Sequence, residues 1–520
     1  MPSIISQLKL LYRDDQTVAR DTKKSLSCTE LLSQCEVLTN TLKENAIQCL
    51  ALHADNGLNW LTVDLTCQHA EISLLPLPTF FSSTQLKYAL QETPVDAIIA
   101  DSSALPCALD DIDDIDDIDI LQYRWVLDDL LFIVLNKPNA PLQLPPNTGK
   151  ITYTSGSTGT PKGVCLSNDQ LLNQAYALAE AVAIPQPRHL CLLPLSTLLE
   201  NVAGIYAPLL LSGEVIVPSL EEIGFTGSSS IIAEKMIQLI SEFQPNSLIL
   251  TPQLLLLLVA AAESGWIAPT TLRFVAVGGS RVAPDLLTKA WAVGIPAYEG
   301  YGLSECASVV SLNTPNNSLM GSCGKPLPHL DISITDGEVI VSGNTMLGYI
   351  NEPDSWGQKN IHTGDLGSLD DEGFLHINGR RKNLLVSSFG RNISPEWVES
   401  EFLSCPIFSD FVVFGDAQPF CIALLSPRSP QITDDQIQRV VDKVNQSLPD
   451  YARVNKWYRL PQPLSSNKQL MTDNGRPIRS EVFNHYAVQI QRLYKTEPTK
   501  QDTSNNTYDT QSIRRPNDFL

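Results

Sequence analysis

Residues 151 to 164 of this 520-residue chain read Ile151-Thr-Tyr-Thr-Ser-Gly-Ser-Thr-Gly-Thr-Pro-Lys-Gly-Val164. The stretch combines hydroxyl side chains and glycines with a single lysine, Lys162. Glycine lets the backbone approach a ligand closely, and hydroxyl groups donate hydrogen bonds. A β-like run precedes the stretch and an amphipathic segment follows it, so we expect a loop between a strand and a helix. These features predict a loop that binds phosphate groups.

Two other kinds of loop share parts of this composition. Gly, Ser, Thr and Pro also make ordinary surface loops. A P-loop needs a glycine directly before its lysine, whereas Gly163 follows Lys162 here. The complete string resembles the signature loop of the adenylate-forming superfamily, which includes acyl-CoA synthetases, luciferases and the adenylation domains of peptide synthetases. The resemblance implies that Lys162 neutralises the leaving pyrophosphate of ATP. It also implies that the phosphates are bound by Thr154, Ser155, Gly156, Ser157, Thr158 and Gly159.

Bulk composition excludes several classes of protein. A net charge of −21 disfavours nonspecific binding to nucleic acid or to anionic membranes. The 11 cysteines include no Cys-x-x-Cys pair, which indicates reduced thiols and argues against a zinc site or a disulfide framework. The N-terminus lacks a basic region followed by an apolar core, and the longest apolar run, residues 254–262, is too short to cross a bilayer. We expect a cytoplasmic protein with at most peripheral membrane contact.

The order of elements indicates an α/β fold. Through the first 380 residues, β-like runs alternate with helical patterns, which is typical of parallel sheets covered by helices. Residues 247–251 predict a buried strand, with Pro252 at the first position of the next helix. Residues 273–277 predict another strand, which ends at Gly278. Since ligands of open α/β sheets bind where strands end, the loops after these strands predict one shared site.

The resemblance also implies a division into domains. Residues 1–381 would form a large domain of parallel sheets covered by helices, and residues 382–495 a small mobile α+β domain after a hinge at Lys382. Residues 496–520 lack apolar content, which predicts a disordered tail. An acidic repeat, residues 110–119, is expected to form an exposed loop because its like charges repel. Calcium binding is an alternative for the repeat, although the EF-hand glycine is absent.

A second motif, Tyr301-Gly-Leu-Ser-Glu305, resembles the family segment that contacts the nucleotide. The resemblance implies that Tyr301 lies against adenine, that Ser304 meets the α-phosphate and that Glu305 holds Mg²⁺. A Tyr-Gly pair alone is more often a turn, and a lone glutamate is more often a solvated side chain. The resemblance further implies backbone contributions to the nucleotide and acyl pockets from Gly278, Gly279, Ser280 and Gly302.

A third motif, His362-Thr-Gly-Asp365, is followed by Arg380. An aspartate can accept hydrogen bonds from two vicinal hydroxyls, and an arginine can support it. Asp365 and Arg380 match the family's ribose-binding pair. The alternatives are a turn aspartate and a surface arginine.

Two departures from the family pattern bear on activity. Near its C-terminus the family has a lysine that bridges the substrate carboxylate and the nucleotide, whereas this chain has Arg476. Arginine's planar fork cannot reproduce the contacts of an ammonium group. Three interpretations of this exchange stay open. Arg476 takes the role of the lysine in altered geometry, Lys468 takes that role instead, or adenylation is slow. Thr197 stands where long-chain acyl-CoA synthetases usually have a histidine.

The resemblance implies a two-step reaction in which a carboxylate attacks ATP and a thiol then attacks the acyl-adenylate. The implied cofactors are ATP, Mg²⁺ and CoA as acceptor. Residues 193–199 contain no aspartate to pair with an amino group, so an amino acid substrate is not expected, and we favour a medium- or long-chain fatty acid. The alternatives are an acyl-AMP ligase that loads a carrier protein, and a weakly catalytic regulatory protein that binds nucleotide or acyl-adenylate.

Overall fold

The computed structural model describes residues 1–101, 119–127, 129–136, 143–154, 161–226, 231–389, 391–472 and 475–495. Two large mixed sheets form the body of the chain. Sheet I contains, from edge to edge, Lys325–Pro326, Ser311–Leu312, Ala297–Tyr301, Phe274–Val277, Ser247–Leu250, Arg188–Leu190, Glu214–Ile216, Thr17–Arg20 and Ser25–Ser27. Sheet II contains Gly348–Tyr349, Lys162–Ser167, Thr148–Thr154, Ser73–Pro76, Cys49–His53, Ala97–Asp101, Leu130–Asn136 and Asp119–Val126.

The central strands of both sheets are parallel, as the alternating pattern predicts. A helix precedes the first strand, and further helices lie between strands along the chain. These helices are Ile4–Leu11, Cys28–Glu44, Leu58–Ala70, Ser83–Glu92, Asn168–Val182, Ala207–Leu210, Leu220–Ile223, Ala233–Phe243, Pro252–Glu263 and Pro284–Ala292. A π-helix spans Glu200–Tyr206, and short 3₁₀ turns span Ser304–Cys306 and Pro353–Ser355.

Local chemistry explains where the helices near the cavity begin. Ser167 accepts a hydrogen bond from the N–H of Gln170, and the Gln170 side chain accepts one from the N–H of Ser167. This capping box starts the helix Asn168–Val182. Thr251 caps the helix Pro252–Glu263, with Pro252 at its first position. The predicted strand–proline–helix order is therefore confirmed.

The π-helix is anchored by a buried polar network. Lys150 Nζ lies 2.5 Å from Asp64 Oδ1, and both side chains are almost fully buried. Asn201 Nδ2 and the Tyr206 hydroxyl, both on the π-helix, donate to Asp64 Oδ2 at 2.9 and 2.8 Å. A buried ion pair needs such additional partners, because each ion has lost its water. The network fixes the π-helix against sheet II and the helix Leu58–Ala70.

Two sequence predictions about local order are wrong. The phosphate loop lies between the antiparallel strands Thr148–Thr154 and Lys162–Ser167, and the helix starts only after the second strand. The strand Lys162–Ser167 is paired on both sides. It pairs with Thr148–Thr154 along one edge and with Gly348–Tyr349 along the other. The βα alternation also ends at the strand Ala297–Tyr301, beyond which the next strands pair antiparallel.

An antiparallel sheet and a separate C-terminal unit complete the fold. Sheet III contains Leu330–Thr335, Glu338–Gly343, Asn360–Leu369 and Leu375–Arg380. Beyond it lie the short strands Leu385–Val386 and Asn392–Ile393, the sheet strands Phe408–Phe414, Cys421–Pro427 and Val454–Arg459, and the helices Pro395–Leu403, Asp434–Ser447, Arg479–His485 and Ala487–Tyr494. The connecting 3₁₀ turns are Arg381–Asn383, Asp450–Ala452, Leu464–Ser466 and Lys468–Leu470.

The C-terminal unit has a core of its own, in which Phe402 stacks on Phe411 with ring centroids 4.1 Å apart. The predicted α/β fold class with a smaller α+β part is confirmed. Of the acidic repeat, only Asp119 lies within the described residues, at the start of a strand, and the predicted tail lies outside them. The cysteines of the described ranges form no disulfide bonds with one another. In that same part of the chain, no helix has the length and apolar character needed to cross a membrane.

Candidate active site

A cavity of about 690 Å³ opens where the parallel strands of sheet I end. Strand Phe274–Val277 ends at Gly278, next to the parallel strand Ala297–Tyr301. We call this part of the cavity the Gly278 end. It is lined by Gly278, Gly279, Ser280, Tyr301, Gly302, Ser304, Gly475 and Arg476. The structure therefore brings together predicted site residues from three distant segments of the sequence.

Asp365 and Arg380 lie opposite each other on neighbouring strands of sheet III. Arg380 Nε lies 2.9 Å from Asp365 Oδ1, and the Tyr301 hydroxyl donates to Asp365 Oδ2 at 2.6 Å. Asp365 is only 4% exposed, whereas Arg380 reaches solvent. Burial, with a smaller effect of the Asp365 charge, raises the pKa of Tyr301, so its hydroxyl stays protonated as a donor. Both oxygens of the Asp365 carboxylate therefore have partners, and its contact with a ribose diol stays a prediction.

Arg476 reaches the same region from the C-terminal unit. Its backbone N–H donates to Thr472 Oγ1 at 3.0 Å, which holds the turn that carries it. The residue is exposed. Desolvation and then the Arg380 charge lower the pKa of Arg476, while Asp365 and Glu396 oppose the shift. The guanidinium therefore lies within the electrostatic reach of the Asp365–Arg380 pair and keeps its charge.

The alternative cation, Lys468, begins a 3₁₀ turn and is exposed. It does not belong to the cavity lining, whereas Arg476 does. Of the two candidates, Arg476 is therefore the one whose charge is available at the Gly278 end.

Lys162 and Glu305 are connected through a residue that the sequence analysis missed. Lys162 Nζ lies 4.6 Å from the ring centroid of Tyr349, and the Tyr349 hydroxyl donates to Glu305 Oε1 at 3.0 Å. Lys162 Nζ also lies 2.8 Å from Glu352 Oε1. Burial and the Glu305 charge raise the pKa of Tyr349, which keeps it a hydrogen-bond donor. Tyr349 thus holds the predicted lysine on its ring and the predicted metal ligand on its hydroxyl.

The only sequence signal for Tyr349 is the pair Gly348-Tyr349, which lies between the second and third strands of sheet III. Sheet pairing explains its position, because Tyr349 lies opposite Val164 on the strand that starts at Lys162. Glu352 follows three residues later and gave no signal of its own.

The hydroxyl loop is only partly described. Thr154 closes its first strand, and Thr154 Oγ1 lies 3.5 Å from the carbonyl oxygen of Lys162. Ser155, Gly156, Ser157, Thr158 and Gly159 lie outside the described residues. Their phosphate contacts stay a prediction.

Glu305 fits the chemistry that Mg²⁺ requires. Magnesium prefers oxygen ligands and commonly takes one or two carboxylates together with substrate phosphates. Glu305 supplies a carboxylate beside Ser304, and its backbone carbonyl accepts from the N–H of Met346 at 2.7 Å. This bond and the one from Tyr349 fix the residue from both sides.

The remainder of the cavity extends between sheet I and the helix Asn168–Val182 together with the π-helix. Its wall away from the Gly278 end is mostly apolar and includes Val182, Ile184, Ala203, Ala207, Leu211 and Phe274. Thr197 lies in this lining too, but its hydroxyl is engaged with the carbonyl oxygen of Pro194 at 2.6 Å. Thr197 therefore contributes its methyl group rather than a base.

Comparison with known proteins places these features in a family. A family model described as "AMP-binding enzyme" matches residues 11–350, and one described as "AMP-binding enzyme C-terminal domain" matches residues 382–498. The long-chain-fatty-acid–CoA ligase FadD15 of Mycobacterium bovis is 22% identical, over 91% of this chain and 92% of its own. The 2-succinylbenzoate–CoA ligase of Bacillus mycoides is 26% identical, over 93% and 99%.

Solved structures show the same fold. The anthranilate CoA ligase AuaEII, in complex with anthranoyl-AMP, superposes with a TM-score of 0.77 at 17% identity, covering 94% of this chain and 97% of that one. The O-succinylbenzoate coenzyme A synthetase MenE of Bacillus subtilis, in complex with ATP and magnesium ion, gives 0.72 at 21% identity, covering 92% and 99%.

Proposed function

The chain belongs to the AMP-binding enzyme family, within the adenylate-forming superfamily close to acyl-CoA synthetases, and from this premise we propose that it is an AMP-forming fatty acyl-CoA ligase. It would activate a medium- or long-chain fatty acid with ATP and Mg²⁺ and transfer the acyl group to CoA. The observation that carries the substrate class is the cavity of about 690 Å³, whose wall beyond the Gly278 end is mostly apolar. Its volume lies within the range of ~300–1,000 Å³ that small-molecule sites occupy.

In the first step, a carboxylate oxygen of the acid attacks the α-phosphorus of ATP, and the bond to pyrophosphate breaks. The acid would enter the apolar part of the cavity with its carboxylate at the Gly278 end, where Arg476 offers a positive charge. Asp365 and Arg380 would hold the ribose, and Tyr301 would lie beside the base. Lys162 would meet the leaving pyrophosphate. Positioning and charge neutralisation suffice for such chemistry, since no protein nucleophile is required.

Glu305 would hold Mg²⁺, which would supply positive charge against the phosphates of ATP. In the second step, the thiol of CoA attacks the acyl carbon, and AMP leaves with the electrons of the broken acyl–oxygen bond. We propose that residues 382–495 move as a small domain about Lys382 between the two steps. Lys382 lies in the 3₁₀ turn Arg381–Asn383 directly after the strand that carries Arg380.

One experiment tests the proposal. The purified chain is incubated with ATP, Mg²⁺ and a panel of acids, with and without CoA, and AMP, pyrophosphate and thioester are measured. The panel contains fatty acids of increasing length and the aromatic acids 2-succinylbenzoate and anthranilate, because relatives of both kinds share the fold. We expect CoA-dependent thioester formation with medium- or long-chain acids.

Three outcomes would contradict this reading. Preferential use of an aromatic acid would overturn the fatty-acid assignment. Pyrophosphate release without any CoA thioester would favour an acyl-AMP ligase that loads a carrier protein. ATP binding without AMP formation from any acid would favour the regulatory alternative.

A further inference from the structure

A hydrogen-bonded polar pair interrupts the apolar part of the cavity wall. His189 and Ser247 lie opposite each other at the start of neighbouring parallel strands of sheet I, and both line the cavity. We call this region the His189 end. Both residues are largely buried, at 2% and 7% exposure. A hydrocarbon chain alone would need no polar group here, so the pair requires an explanation.

A relay of hydrogen bonds connects the pair to a buried carboxylate. Ser247 Oγ lies 2.9 Å from His189 Nδ1, and His189 Nε2 lies 3.0 Å from Glu200 Oε1. Glu200 is fully buried on the π-helix, where burial raises its pKa and the hydrogen bond with His189 opposes the rise. A serine bonded to a histidine that a carboxylate orients is a polarised group rather than an inert one.

The backbone around the relay is shaped to accommodate it. At Gly204, one π-helical turn after Glu200, a Cβ atom would lie 2.5 Å from Glu200 Oε1 and 2.7 Å from His189 Nε2. Any other residue at this position would therefore displace the carboxylate from the imidazole. The glycine and the wide helical turn both serve the contact between Glu200 and His189.

The tautomer of His189 decides which kind of ligand group the wall can receive. If Glu200 is ionised, its carboxylate accepts from Nε2–H of the neutral imidazole, and Nδ1 then accepts from the Ser247 hydroxyl. The Ser247 proton is then used, and its oxygen faces the cavity with acceptor capacity only. A ligand group that meets it must be a donor, such as a hydroxyl, and a carbonyl does not fit.

The strand register gives the position of this acceptor along the cavity. Ser247 pairs with Phe274, and Gly278 lies four residues further along that strand's direction. At ~3.3 Å per residue the separation is roughly 13 Å. Three backbone bonds span one residue of an extended chain, which is an advance of about 1.2 Å per bond. Roughly ten or eleven bonds of an extended acyl chain would therefore separate the level of Gly278 from the level of Ser247.

We propose that the His189–Ser247 pair recognises a hydroxyl group in the middle of the acyl chain, so that the preferred substrate is a mid-chain hydroxy fatty acid. This inference rests on the proposed function for the orientation of the acid, with its carboxylate at the Gly278 end. It makes Ser247 a specificity-determining residue, with His189 and Glu200 as the residues that position its proton.

The test compares 18-carbon acids that differ only in one substituent. The acids are unsubstituted, 2-hydroxy, 10-hydroxy, 12-hydroxy and 12-oxo, and kcat/KM is measured by pyrophosphate release. A neutral hydrogen bond contributes about 0.5–1.5 kcal/mol, which corresponds to roughly two- to tenfold. We expect kcat/KM to be higher by this factor for the 10- or 12-hydroxy acid than for the unsubstituted acid. The 2-hydroxy and 12-oxo acids should show no such increase over the unsubstituted acid.

Two variants separate recognition from packing. Ser247→Ala should bring the ratio of hydroxy to unsubstituted acid close to one. Ile249→Val, on the same strand and the same cavity wall, should change all the acids in parallel and leave that ratio intact. Equal use of plain and hydroxy acids by the unaltered chain, or an unchanged ratio in Ser247→Ala, would overturn the proposal.

Failure of the proposed function can be told apart from failure of this inference. If no acid yields AMP, the same acids are titrated into the full chain by calorimetry without ATP. Tighter binding of a mid-chain hydroxy acid that is lost in Ser247→Ala would still support the recognition site. Equal binding of all the acids would refute it.

Discussion

Lys162 is paired with Glu352, and this pair should compete with the phosphates of ATP. The two side chains are 36% and 44% exposed, with Nζ 2.8 Å from the carboxylate. An ion pair at such exposure contributes about 0.2–1 kcal/mol. Replacing Glu352 by glutamine removes the competing charge and leaves Lys162 on the ring of Tyr349. The affinity for ATP should therefore rise.

The same energies give the size of the effect. Since RT is about 0.59 kcal/mol, 0.2–1 kcal/mol corresponds to roughly a 1.4- to fivefold lower KM for ATP. The measurement is the KM for ATP in pyrophosphate exchange with a saturating acid. Added salt should shrink the difference between the two proteins, because an exposed pair is screened.

The control must remove one negative charge elsewhere. Glu372→Gln does so in an exposed turn, where the backbone N–H of Glu372 bonds to Asp370. It should leave the KM for ATP unchanged. An unchanged or higher KM in Glu352→Gln would refute the competition and would mean that Glu352 orients Lys162 for the phosphates.

Three further predictions follow from the site and from the buried carboxylates. Asp365→Asn removes the charge that faces Arg380. Hydrogen bonds to charged groups contribute about 1.5–3 kcal/mol, so the affinity for AMP should fall roughly tenfold or more when it is measured by calorimetry. Arg476→Lys should preserve or raise the rate of acyl-AMP formation in single-turnover assays, and complete loss would show that arginine has its own role. Burial raises the pKa of Glu299 to about 7. The protonated carboxyl therefore stabilises the fold fully at pH values below the unfolded pKa of Glu299, and this stabilisation is lost as the pH rises through 7. Glu299→Gln should therefore be more stable than the unaltered chain at pH 8, by up to about 3 kcal/mol, and the gain should vanish near pH 4.5 in thermal unfolding.

Motifs that carry their own chemistry were predictable from the sequence. The parallel strands that end at Gly278 and Tyr301 followed from buried runs closed by glycine, and strand ends converge on one edge of a sheet. Asp365 and Arg380 were predicted as a pair from the family resemblance alone. The structure explains the pairing, because the two residues are register partners in an antiparallel sheet.

Contacts between distant segments were not predictable. Tyr349 contacts Lys162 because the strand Gly348–Tyr349 pairs with the strand Lys162–Ser167. No sequence pattern in either segment predicts this pairing or its register. His189 and Glu200 are eleven residues apart, but their contact depends on a π-helical turn and on Gly204. A period of 3.6 residues, which sequence patterns assume, does not describe such a turn.

The position of Arg476 follows from opposing charges. Arg380 repels its guanidinium, while Asp365 and Glu396 attract it. Asp365 already has Arg380 and Tyr301 as partners, so little of its charge remains for a third group. A nucleotide phosphate at the Gly278 end would add the negative charge that this cluster of two arginines lacks. Departure of pyrophosphate would remove part of it again. In the proposed reaction, the charge around Arg476 would therefore be more favourable to its guanidinium while phosphates are bound, and less favourable after the first step.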